Sequence, residues 1–176
     1  RYDWRRDNVE NAARLDAFIN QIRQDYGQPE LKVDIVAHSM GGLLPRYYLR
    51  YGPTDVLNDN EFPVNLWGAS RVRRVILLGT PNMGSVNSVR GFIEGVKLGF
   101  GRIPTEVLAT MPSVYQLFPH PLAGAWLISA SGEKLERDLF SVRIWRRFGW
   151  SIFDPAVRER ILATFDDPAA GEAHLK

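Results

Sequence analysis

Leu31-Lys-Val-Asp-Ile-Val-Ala-His-Ser-Met-Gly-Gly42 is the stretch from which the rest of the chain is read. Val33, Ile35 and Val36 are β-branched, and a compact β-branched run closed abruptly by glycine is the pattern of a strand buried in a parallel sheet. The strand is expected to end near His38. Beyond it the chain turns through Ser39 into a helix that begins at about Met40 and runs over Leu43 to Tyr51. Two residues before and two after the serine stand Ala37 and Gly41, small enough for a strained strand-to-helix corner, and Gly42 adds room for the helix to pack against the strand.

Such a corner exposes its serine at the carboxyl edge of the sheet. A serine hydroxyl is a weak nucleophile at neutral pH and needs a positioned base to take its proton as it attacks an acyl carbon. The backbone N–H of Met40 and the positive end of the helix dipole would face the developing oxyanion, so half of an oxyanion hole is encoded locally. The plainer reading is a strand, turn and helix of any doubly wound protein, with Ser39 merely capping the helix.

Composition narrows the alternatives. The chain has 176 residues, one domain's worth, and 45% hydrophobic with 24% charged residues is ordinary globular composition, which argues against disorder. A net charge of +2 with scattered arginines makes no nucleic-acid stripe, and the aromatic-basic mixture of residues 133–153 reads as a folded cap with snorkelling arginines, so no nucleic-acid partner is expected. Zero cysteines exclude disulfides and thiolate metal sites; with no leader pattern in Arg1–Arg6 this favours a cytoplasmic location. No apolar run approaches the roughly 20 residues of a membrane helix, although transient contact with a membrane surface stays compatible. No cluster of histidine and carboxylate has metal-ligand spacing, and serine chemistry requires neither metal nor cofactor, so none is expected. Oligomeric state is not readable. The opening Arg1-Tyr-Asp-Trp-Arg-Arg6 looks like the inside of a domain, so a fragment of a longer parent is expected.

Around the quoted stretch, Asp7 and Glu10 form a capping-box-like pair at the head of a helix of about 18 residues, with Leu15, Phe18, Ile19, Ile22 and Tyr26 at helical spacing and Gly27 and Pro29 as its stop. Helix, strand and helix in succession imply a parallel sheet covered on both faces. Pro45 predicts a kink or a frayed start in the second helix. Gly52 to Ala69 reads as a loop, and Arg71 to Gly79 as a second strand, which delivers Thr80-Pro81-Asn82-Met83-Gly84-Ser85 to the sheet edge that carries chemistry in open α/β folds. Glycines and prolines then break the chain from Val86 to Leu122 into short helices, read as a cap or lid; an ordinary helical excursion is the alternative. A last helix is predicted from Pro155 to about Phe165.

Three segments in this order, Tyr2-Asp3-Trp4-Arg5-Arg6, Ala37-His38-Ser39-Met40-Gly41-Gly42 and Leu78-Gly79-Thr80-Pro81-Asn82-Met83-Gly84-Ser85, resemble the lecithin:cholesterol acyltransferase-like, lipase-related branch of the α/β-hydrolases, over about the first half of the chain. The resemblance implies a partial α/β-hydrolase fold, its parallel sheet flanked by helices with a helical cap or lid: nucleophile-bearing core in residues 1–85, cap in 86–154, helix and tail in 155–176. It implies a serine esterase, lipase-like hydrolase or O-acyltransferase acting on lipid or other apolar acyl esters, with Ser39 as nucleophile, Met40 N–H as oxyanion donor, and Thr80 and Met83 toward substrate or lid. In this fold the triad runs Ser, acid, His, yet no convincing strand follows the cap. His120 and His174 are candidate bases, Asp138, Asp154, Asp166 and Asp167 equally open acids, and a longer parent is expected to supply both groups beyond Lys176. His38 is expected to point away from the serine, either into packing or into a supporting position behind the site. A catalytically inactive module binding an apolar ligand or partner is the alternative reading, and a thin sheet fragment stable only in a larger assembly is a third.

Overall fold

The computed structural model describes residues 2–56, 61–123, 127–135 and 138–175, which divide into two units, Arg1–Asn82 and Met83–Lys176. In the first, helix α1 (Asn8–Asp25) has the length expected from its apolar spacing, and Asp7 caps its start: the carboxylate accepts from Val9 N–H at 2.7 Å. Glu10 pairs with Arg6 and Arg14 along the helix surface. Strand β1 (Val33–His38) runs into a 3-10 turn, Ser39–Gly42, and then helix α2 (Leu43–Tyr51). Pro45 causes no break in α2, because it occupies the third helical position, where an amide N–H would have no intrahelical acceptor. Strand β2 (Val72–Leu78) pairs parallel to β1, from Asp34 opposite Arg74 to His38 opposite Leu78.

The core of this unit corrects two expectations. Ala12, Ile19, Leu44, Tyr48 and Val72 are buried together, with Leu15, Val33, Ile35 and Val75 packed against them, so α1 and α2 both cover the same face of the two strands. The other face is open: Val36, Ile76 and Leu78 are 64%, 50% and 48% exposed, where the sequence predicted cover on both sides. Helix α1 is also rotated from its predicted apolar stripe. Phe18 and Tyr26 are exposed, while Asp16 and Asn11 are buried. The reason is a polar network: Tyr48 OH and Trp67 Nε1 both donate to Asp16 Oδ1, at 2.6 and 2.8 Å, and Asn20 Nδ2 to Oδ2 at 3.0 Å. Arg71 Nε lies 3.3 Å from the same Oδ1 as an ion pair without hydrogen-bond alignment, its guanidinium stacked 4.0 Å over the Trp67 ring. These bonds turn the Asp16 face inward.

The second unit is built from helices α3 (Val86–Glu94), α4 (Thr105–Leu108), α5 (Pro112–Tyr115), α6 (Val142–Phe148), α7 (Pro155–Leu162) and α8 (Pro168–His174). Two short hairpins, β3 (Val96–Leu98) with β4 (Gly101–Ile103) and β5 (Leu127–Ile128) with β6 (Lys134–Leu135), lie where only helices and turns were expected. Helix α7 begins where Pro155 predicts it, with the Asp154 carboxylate accepting from Ala156 and Val157 N–H groups; α8 forms where the sequence predicts only a tail. Val89, Phe92, Leu108, Met111, Val114, Phe118 and Trp145 form the buried centre. Phe92 meets Phe118 and Trp145 edge-on, and Trp145 stacks on Phe118 at 5.6 Å, so the rings pack as one aromatic cluster.

Candidate active site

Ser39 has φ +53°, a left-handed conformation that costs a non-glycine residue about 1–2 kcal/mol. Strain of this kind persists only where the surroundings enforce it. Here β1 ends on extended His38, and the chain must reverse within one residue to enter the 3-10 turn. Ser39 is exposed, and it does not cap α2: that cap is Gly42, which makes no side-chain bond. The helix-capping reading of the serine therefore fails. Ser151 is a useful contrast. It too has positive φ, at +56°, but it is buried and its hydroxyl lies 3.2 Å from Thr105 Oγ1, whereas Ser39 is exposed.

The corner is held by two close approaches, of which the one at Gly42 leaves no room for a side chain. A Cβ on Gly42 would fall 2.0 Å from Thr80 Oγ1 and 2.7 Å from its Cγ2. Thr80 thus packs its side chain directly on the turn, and its Oγ1 is buried without a hydrogen-bond partner among the described residues. A Cβ on Gly41 would lie 3.1 Å from the Tyr2 hydroxyl, so the first segment of the chain also borders the turn. Burial raises the Tyr2 phenol above its ordinary range, which keeps it a neutral hydrogen-bonding group. That segment is rigidified locally: Arg5 grips the Asp3 carboxylate through two 2.8 Å bonds and holds its pKa at about 2, and Asn11 Nδ2 donates to Asp3 O at 2.9 Å. Arg46, on α2, donates to Asn82 O and Oδ1 and so ties the helix to the segment after β2.

Residues 1–145 match the model of the family described as Lecithin:cholesterol acyltransferase. The chain belongs to this family. A curated relative, the Lysosomal phospholipase A and acyltransferase of Bos taurus, is 33% identical over 97 residues, which are 53% of this chain and 20% of the relative. The chain thus spans about a fifth of the length of the relative it matches. No solved structure matches it. The cytoplasmic location favoured by the missing cysteines finds no support, since that relative is described as lysosomal; among the described residues no helix is long and apolar enough to cross a membrane.

Against this family background, the residues singled out from sequence fall into two groups. Ser39, Met40 and Thr80 meet at one corner of the first unit, and the Thr80–Gly42 contact is a structural dependence that residue spacing did not reveal. Met83 and His120 are brought together in the second unit, where His120 N–H donates to Met83 O at 2.9 Å. His120 Nδ1 accepts from Leu122 N–H at 3.1 Å, which engages that lone pair in its own turn. His174 packs its ring 5.4 Å from Phe165. His38 is exposed at the end of β1, which removes the packing role among the two expected for it. No group of three or more metal-ligating side chains occurs among the described residues. The Asp16 network was the feature missed; an aspartate inside an otherwise apolar helix face is the signal that could have found it.

Gly42→Ala offers a direct test of the corner. Its methyl has no space beside Thr80, so the variant is expected to lose about 1–3 kcal/mol of stability by overpacking and roughly a hundredfold in reactivity of Ser39 through misplacement. Thr80→Gly in the same background should restore part of both. Thermal melts and rates of Ser39 modification check this, and an unperturbed Gly42→Ala variant would show that the corner tolerates displacement.

Proposed function

We propose that this chain carries the nucleophile of a serine-dependent acyl hydrolase or O-acyltransferase acting on lipid or other apolar acyl esters. The observation that carries the reading is Ser39 itself: exposed, strained at φ +53°, at the carboxyl end of a parallel strand, on a turn too crowded for any residue but glycine at position 42. In this reading Ser39 Oγ attacks the acyl carbon while a base takes its proton. The oxyanion is met by Met40 N–H, one of the first amides of the turn, which have no acceptor inside it. The base returns the proton to the departing alcohol, and an acyl-Ser39 ester remains. Water then releases the acid, or an acceptor alcohol takes the acyl group. His120 and His174 are the candidate bases within the chain; a histidine and an acid elsewhere in a longer polypeptide are the alternative source. Thr80 sets the turn, and exposed Met83 is proposed to contact apolar substrate or lid, with residues 86–154 as cap.

Family membership supports the lipid-acyl class, and the relative is described as a phospholipase A and acyltransferase. The test is a fluorophosphonate probe followed by mass spectrometry, on this chain and on any longer polypeptide that contains it. A phosphonyl adduct on Ser39 in the longer form alone means that acid and base lie outside these residues. An adduct in the chain by itself makes His174 and His120 the bases to replace. No adduct in either, with the protein folded, would reject the nucleophile and favour the inactive binding module.

A further inference from the structure

The second unit carries a partly open apolar cavity of about 400 Å³, within the size range of small-molecule sites. Phe92, Phe118, Trp145 and Phe153 line it. Its interior polar groups are already matched within the protein: Trp145 Nε1 donates to Leu139 O at 2.7 Å, and the Ser151 hydroxyl lies by that of Thr105. A ligand inside therefore meets hydrocarbon surface and little else, which suits an unbranched chain. At the lining the charged and titratable groups are Arg146, His174 and Tyr115, whose hydroxyl donates to Ala109 O at 2.8 Å, with no carboxylate among the lining residues. Arg146 is exposed, 5.3 Å over the Phe153 ring, and it forms no ion pair among the described residues of this unit. A guanidinium is charged at every working pH and takes a carboxylate in bidentate fashion.

We propose that this cavity binds one long-chain fatty acid, its hydrocarbon among the aromatic rings and its carboxylate on Arg146. The volume suits a single chain, and the charge at the lining favours the free acid over a neutral ester or alcohol. Every residue lining it belongs to the second unit, so the proposal stands whether or not Ser39 is a nucleophile.

The test titrates the purified chain with 11-(dansylamino)undecanoic acid and displaces the dye with oleate below its critical micelle concentration. Saturable binding at one dye per chain, reversed by oleate, is expected. Arg146→Gln should weaken oleate about fivefold, the scale of one partly exposed ion pair, and leave oleyl alcohol unchanged. Val142→Trp, at a lining position 58% exposed in the free protein, should obstruct the cavity and lower both affinities at least tenfold. Both positions are on the surface of α6, so folding should survive; if Val142→Trp does not fold, the oleate-to-alcohol comparison in Arg146→Gln decides alone. Ser39→Ala should bind oleate as the parent does. Non-saturable binding, equal effects of Arg146→Gln on oleate and alcohol, or loss of binding in Ser39→Ala would each overturn the proposal.

Discussion

Ser39→Ala should lower turnover of an apolar acyl ester by roughly 10⁵- to 10⁶-fold, the scale on which removal of a serine nucleophile acts where acid, base and oxyanion donors remain in place. The measurement is steady-state hydrolysis of a medium-chain ester by the longest active polypeptide that contains this chain. A loss under tenfold would remove Ser39 from the chemistry. A stability comparison sharpens the result. Alanine keeps a Cβ at φ +53° and hence the strain, whereas Ser39→Gly relieves it at the cost of a more flexible unfolded chain. Ser39→Gly should therefore be as inactive as Ser39→Ala but more stable by about 0.5–1 kcal/mol. A glycine variant that is less stable would mean that Ser39 is not held in a strained conformation in solution.

The largest loss of stability is expected at Asp16. Replacing it with alanine leaves Tyr48 OH, Trp67 Nε1 and the Arg71 guanidinium without their shared acceptor in the interior of the first unit. Breaking a buried pair in this way costs about 3–5 kcal/mol, and the residual solvent access of Arg71 places the expectation near 3. Asp16→Asn keeps an acceptor oxygen but loses the charge opposite Arg71, so a loss of about 1–2 kcal/mol is expected, and Tyr48→Phe removes a single bond at about 1 kcal/mol. Urea unfolding of the three variants gives the ranking; a neutral Asp16→Ala would show that the network contributes nothing to folding.

The same network sets an alkaline limit. Burial raises the Tyr48 phenol well above its ordinary value, and the hydrogen bond to Asp16 raises it further. The folded state thus keeps a proton that the unfolded chain releases near pH 10. The resulting stabilisation is complete below about pH 10 and is lost as pH rises beyond it. Melting temperature should fall less steeply above pH 10 in Tyr48→Phe than in the parent.

Much of the local structure was legible because it depends on neighbours in sequence. The bounds of α1 and α2, the strand ending at His38, the Asp154–Pro155 start of α7 and the serine corner all follow from caps, glycines, prolines and β-branched runs within a few residues of one another. The family was legible for the same reason, since its three motifs are contiguous stretches. What tertiary structure alone decided are pairings between distant residues. Apolar spacing marked Phe18 and Tyr26 as core, yet four partners of Asp16, two of them about fifty residues away, outweigh that stripe and rotate α1. Gly42 could be seen to be small, but not that Thr80, 38 positions later, fills the space left for it. The open face of β1 and β2 is hidden from sequence because a β-branched strand reads as buried on both sides regardless of whether helices cover one face or two. The aromatic cavity is likewise invisible along the chain, since Phe92, Phe118, Trp145 and Phe153 become one lining only when α3, the segment after α5, α6 and the turn before α7 converge. Local chemistry wrote the elements and the serine corner; long-range packing chose which faces were buried and where space was left.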